Sequence, residues 1–171
     1  MEKLMPRIGQ MSDTLFRDDL LKIFTSIYQR MQSVCFTSAG LVISGTNTKV
    51  KTGASITYLV ADGQIQSVAA ATDMAVLAGS VTNAKFNVFV FSVDKAGNLY
   101  SNMGTEGGAL NTVSWPKNIP TNRAILGYVI INPTGTGNFV GGTTPLGDAT
   151  VVPNAVYVNT TGAFDAYSPL Q

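Results

Sequence analysis

The sequence predicts a mainly β protein: an antiparallel β-sandwich or jelly-roll-like body preceded by one N-terminal α-helix. Three observations carry that prediction. Nine of the 21 charged residues fall within residues 1–35, and the other twelve are spread thinly over residues 36–171. The composition changes at the same place, because beyond Cys35 the chain fills with Thr, Ser, Asn, Gly and Val, the residues of strands and tight turns. Apolar residues recur at helical spacing before Cys35 and in alternation or short runs after it. The chain therefore divides into an N-terminal arm and amphipathic helix, residues 1–35, suited to anchoring or oligomerisation, and a β body, residues 36–171. At 171 residues it is long enough to bury a sizeable core without staples.

Taken in order, residues 1–11 contain Pro6 and Gly9 and read as an extended arm. A helix is predicted from about Asp13 to Gln32. Ser12 is a suitable N-cap, Asp13 suits the positive end of the helix dipole, and no Gly or Pro interrupts the stretch. Phe16, Leu20, Ile23, Phe24, Ile27, Met31 and Val34 form its apolar stripe. Leu20, Phe24, Ile27, Met31 and Val34 step by 4, 3, 4 and 3, which is heptad spacing sustained for two heptads. Such a stripe packs either on the body or on a neighbouring chain. Phe16, Leu20, Phe24, Ile27 and Met31 are accordingly the candidate interface, with a partner protein or a further subunit.

The body reads as successive short strands. Ser55–Ala61 alternates, with Ile56, Tyr58 and Val60 on one face, and Asp62-Gly63 predicts a two-residue hairpin turn into Gln64–Ala70. Thr72–Ala84 is ambiguous and could hold a short helix. Phe86–Val93 and Ala124–Ile131 are apolar on both faces, so each is central or lies at an interface. Asp94 to Asn98 turns the first of these into Leu99–Ser101. Asn132 to Gly137 is a loop, and Asn138–Val140, Val151–Val152 and Val156–Val158 complete the pattern.

Composition excludes much chemistry. Charged residues make up 12% of the chain, about half of the roughly 25% usual in soluble domains. The net charge of +1 argues against broad capture of nucleic acid. With no histidine and a single cysteine, no Ser-His-Asp or Cys-His catalytic group, histidine-ligated metal, Cys₄ site or internal disulfide can be built. Asp62, Asp94 and Asp148 sit beside glycine-bearing turns, where aspartate bonds its own backbone. Asp18 and Asp19 read as a solvated helix face. A calcium site from Asp94, Asn98 and Glu106 lacks the EF-hand spacing. Gly104–Gly108 and Gly141–Thr144 lack the Gly-Lys-Ser/Thr ending of a phosphate loop and read as flexible surface loops. Asn159-Thr160-Thr161 matches a glycosylation acceptor without a sign of secretion. Trp115, in Ser-Trp-Pro-Lys-Asn-Ile-Pro, is expected to anchor a packed loop, and Cys35 to be a buried small hydrophobe. Lys49 and Lys51 alternate on a strand, as edge-protecting residues do. The first ten residues hold no apolar core of the signal-peptide kind, and no window approaches the roughly 18 apolar residues of a membrane span. The expectation is a non-enzymatic protein without cofactor, metal, nucleic-acid or membrane partner, made in the cytoplasm.

From about Gly53 to Phe164 the order of elements resembles a group of tailed-phage virion proteins: head decoration, cement or head-fibre proteins. The resemblance rests on Tyr58-Leu59-Val60-Ala61-Asp62-Gly63, Ala69-Ala70-Ala71-Thr72-Asp73 and Phe89 to Asn98. It continues through Leu126-Gly127-Tyr128-Val129, Asn138-Phe139-Val140 and Gly142-Thr143-Thr144-Pro145-Leu146. It implies a β domain displayed on the capsid exterior of a virion. The partners implied are the major capsid protein and the chain itself, as a homo-oligomer with a trimer favoured over a dimer. Loops near Gly104–Gly108 and Gly135–Gly137 would face outward. A tail-fibre or baseplate receptor-binding domain and a carbohydrate-binding β-sandwich are the alternatives.

Overall fold

The computed structural model describes residues 5–61, 63–117, 119–152 and 154–162, with side chains described from residue 18 onward, Arg30 excepted. Among the described residues one α-helix, α1 (Met5–Gln32), is followed by eleven strands in antiparallel sheets. The helix starts eight residues earlier than Asp13, so residues 5–11 are helical rather than an extended arm, and Ser12 lies inside the helix instead of capping it. Pro6 falls in the first turn, where its missing N–H breaks no intrahelical bond. A lone glycine such as Gly9 costs only about 1 kcal/mol, too little to end a long helix.

The centre of the body is a four-stranded sheet ordered β11-β9-β7-β8, from β7 (Asn87–Val93), β8 (Leu99–Met103), β9 (Ala124–Ile131) and β11 (Val156–Asn159). Every residue of β7 is buried, as its two-sided apolarity predicts. Phe89, Phe91 and Val93 join Leu126, Val129 and Ile131 in the main core. Val88 and Val90 point the other way, with Ile125 and Tyr128, into a second cluster closed by Val113, Trp115 and Ile119. The register shifts between Phe91 and Ser92. Gly127 stands opposite Phe91 there with φ near +153°, and a Cβ on it would run into Val158 O and Leu41 Cδ1. Glycine is required at that close approach.

Short sheets stack on the main-core face and make the body sandwich-like. β1 (Val34–Cys35), β4 (Ile56–Leu59) and β5 (Gln66–Val68) form one; β2 (Val42–Ile43) with β3 (Val50–Lys51), and β6 (Ser80–Val81) with β10 (Phe139–Val140), form two more. Ile56, Tyr58, Val68, Val50, Val81 and Phe139 supply their core contacts. Phe139 meets Phe89 edge-to-face at 5.9 Å.

Several local expectations are corrected. The β4–β5 connection is not a two-residue turn: Gly63 N–H donates to Val60 O at 2.8 Å, closing a turn one residue earlier. Val60 is buried and pulls the chain inward before the strand would end. Asp62 itself lies outside the described residues. Thr72–Ala84 holds β6 and extended chain rather than a helix, with Met74 and Leu77 plugged into the main core. Val151–Val152 is a turn, not a strand, because the N–H groups of both residues bond back to Asp148 O. β3 is no free edge, since Met74 N–H donates to Val50 O and Lys51 bridges Asp73 on its far side. Lys49 instead reaches the Asp73 carboxylate at 3.9 Å.

Candidate functional site

The polar groups singled out in the sequence are absorbed by the fold. Asp94 Oδ1 accepts from the Ala96 and Asn98 N–H groups, and its Oδ2 accepts from Asn98 Nδ2 and the Tyr100 hydroxyl. Burial opposes ionisation of this carboxyl, but the donated bonds prevail and hold it below the usual carboxylate range. Glu106 lies elsewhere, gripping Thr82 through backbone and side chain at 2.9 Å. Asp94, Asn98 and Glu106 therefore do not converge on a cation. Among the described residues, no three His, Cys, Asp or Glu side chains are placed to hold a metal.

The glycine-rich stretches are braced rather than loose. Thr105 pairs with Ser114 and Gly107 with Phe86, and a Cβ on Gly107 would collide with Thr112. A Cβ on Gly141 would likewise meet the Leu77 carbonyl. Around Gly135–Gly137, Thr136, Gly137 and Asn138 are exposed. Trp115 stacks edge-to-face on Tyr128 at 5.2 Å as the expected loop anchor. Cys35 is buried and unpaired with any sulfur, and burial pushes its thiol up to about 12.

What the fold leaves unabsorbed is most of α1, whose side chains from Asp18 to Tyr28 are all exposed except Leu20. Asp19 and Lys22 form an exposed i, i+3 ion pair at 3.6 Å. The apolar candidates are open to solvent: Phe24 is 62% exposed, Ile27 49% and Met31 66%. Leu21, Ile23 and Tyr28 are also more than half exposed. Leu20 is half-buried, and the Phe16 side chain lies outside the described residues. The stripe does not pack on its own body.

The seating of the helix explains this. Gln29 Oε1 accepts from Thr121 Oγ1 of the body at 2.9 Å. The Gln29 carbonyl accepts from Ser33 Oγ, which itself accepts from Ala61 N–H. At about 100° per residue, Gln29 lies opposite Leu20 on the helix. The helix thus meets the body near its C-terminal end, and Lys22, Thr25 and Ser26, on the Gln29 side of the preceding turns, are exposed like the apolar side. The outer face of the β1-β4-β5 sheet adds Phe36 and, beside β5, Ile65, both more than half exposed. No helix among the described residues is long and apolar enough to cross a membrane. No protein-family model, curated protein or solved structure matches the chain.

The exposure of the apolar side is the feature that sequence periodicity misses, because it depends on where the helix meets the body, at Gln29 and Thr121, 92 residues apart.

Proposed function

We propose that this chain is a non-enzymatic structural virion protein that decorates and cements a tailed-phage head. In this reading residues 1–35 serve attachment and residues 36–171 form the displayed body. The partners are the major capsid protein and further copies of the chain, as a trimer. It is made in the host cytoplasm and resides on the capsid exterior.

The observation that carries the reading is the amphipathic α1, whose apolar side stays exposed beside a body that closes its own core. A helix built that way is an attachment device. Its 28 residues span about 42 Å at 1.5 Å per residue, enough to hold the body clear of a surface. The thin charge of the body suits dense packing, because little charge must be desolvated where copies touch. The order of body motifs that resembles head decoration proteins adds its weight. The mechanism is mass action: a subunit that binds only the assembled shell adds its binding free energy to shell stability. Many copies make modest contacts collectively strong.

Electron microscopy of virions labelled with an antibody to this chain tests the proposal. Label distributed over the head is expected. Label confined to the tail would overturn it in favour of a receptor-binding fibre or baseplate domain.

A further inference from the structure

We infer that the outer edge of β8 is a docking site for an extended peptide, a segment of the virion protein that carries this chain, which is the major capsid protein in the reading above. The inference rests on that reading for the identity of the partner. It adds a second point of attachment, on the body itself.

The backbone of β8 is only half used. Asp94 N–H donates to Asn98 O at 3.1 Å, and Gly104 N–H to Val88 O at 2.8 Å. In the antiparallel register with β7, these bonds turn the N–H and C=O groups of Tyr100 and Asn102 toward β7. Those of Leu99, Ser101 and Met103 point away from it. β8 is the last strand of the central sheet, and these outward groups have no hydrogen-bond partner among the described residues. Ser101 Oγ and Asn102 Oδ1 are also buried without one. Unpaired backbone groups two residues apart, about 6.8 Å, match the repeat of another extended strand.

Other edges of the body are closed where β8 is not. Beside β3, Met74 N–H donates to Val50 O, and beside β1, Gly162 N–H donates to Cys35 O. At the far edge of the central sheet, Leu41 N–H donates to Asn159 Oδ1 of β11 at 2.8 Å. β8 lacks the devices that blunt a free edge. Leu99-Tyr100-Ser101-Asn102-Met103 holds no proline and no charge, and its pairing with β7 runs without a bulge.

The chemistry of the edge selects the occupant. Leu99 and Met103 pack on the main core, and Tyr100 and Asn102 alternate onto the opposite face. An incoming strand therefore fits with apolar residues beside the first pair and polar residues beside the second. A second copy of β8 fits poorly. Arg123 lies 3.4 Å over the Tyr100 ring and has no ion pair among the described residues. Antiparallel pairing of two β8 strands about Ser101 would set the two Tyr100 residues on a diagonal, roughly 7–8 Å apart. An Arg123 would stand over each ring, and like charges that close repel. Reach favours an extended arm as well: the helix spans about 42 Å, a gap that about 13 extended residues cross at 3.3 Å each.

Amide exchange of the wild-type chain, free and on purified virions, tests the inference residue by residue. In the free chain Leu99, Ser101 and Met103 should exchange about tenfold or more faster than Tyr100 and Asn102. On the virion they should slow to the rates of those neighbours. The second arm is rebinding to virions stripped of the chain. Ser101→Pro removes an outward N–H and no bond to β7. It should lower occupancy about tenfold or more with the β spectrum intact, and Ser101→Ala should bind like the wild type. If Ser101→Pro does not fold, the exchange arm decides alone. Outward amides that stay fast on the virion would overturn the inference, as would wild-type occupancy by a folded Ser101→Pro. Outward amides that slow in the free chain as its concentration rises would overturn it in favour of a second copy. Tail labelling with slow outward amides would overturn only the head assignment, and head labelling with fast ones only this inference.

Discussion

The central sheet and the N-terminal helix handle the same problem in opposite ways. β7 and β9 are apolar on both faces, and the chain covers both, one with the main core and one with the segment carrying Val113, Trp115 and Ile119. α1 is apolar on one side, and the chain leaves that side exposed, meeting the helix near its C-terminal end through Gln29. A strand that is sticky on two faces is safe because its own chain encloses it. A helix that is sticky on one face remains open because its own chain meets it near its C-terminal end. The difference is one of enclosure: the body buries its own apolar surface, and the helix leaves its apolar side exposed.

The comparison breaks most readily in the body. Phe89→Ala removes a fully buried ring that packs on Phe139, and a loss of about 3–5 kcal/mol is expected in urea unfolding. A loss under about 1 kcal/mol would mean that the main core is not the stabilising unit. Gly127→Val places a branched side chain against Val158 O and Leu41 at positive φ. It should cost about 2–3 kcal/mol, read in the same assay.

Alkaline pH gives a graded effect, smaller than these within any one pH unit. Burial raises the Cys35 thiol from its unfolded value of about 8.5 to about 12 in the folded chain. The neutral thiol is the form the fold prefers, so this contribution is complete below about pH 8.5 and is lost as pH rises toward 12. Over that window stability should fall by up to about 1.4 kcal/mol per pH unit through this group. Cys35→Ala should flatten the slope in pH-dependent unfolding. The smallest effect on stability belongs to α1: Phe24→Asp should change body unfolding by no more than about 0.5 kcal/mol. A larger loss would show that the helix is part of the body after all.

Legibility in the sequence followed the length and strength of each pattern. β7 and β9 were readable as unbroken apolar runs, and the turn at Asp94 as a cluster of turn residues. Strands of two residues, such as β2 and β6, are too short to display a period of 2, and their pairing is set by tertiary contacts. The start of α1 was obscured because Pro6, Gly9 and Ser12 look like punctuation, yet a long helix tolerates all three. Val151 and Val152 read as a strand by composition, but Asp148 folds them into a turn. The candidate residues of α1 were legible as a stripe. Its exposure was not, because that depends on where along the helix the body makes contact, near Gln29.

Amide hydrogen exchange of the full chain across a dilution series tests the central contrast most directly. The account predicts that protection of β7 and β9 is independent of concentration, while protection of residues 18–32 falls as the chain is diluted. Protection of residues 18–32 that persists unchanged at the greatest dilution would contradict it.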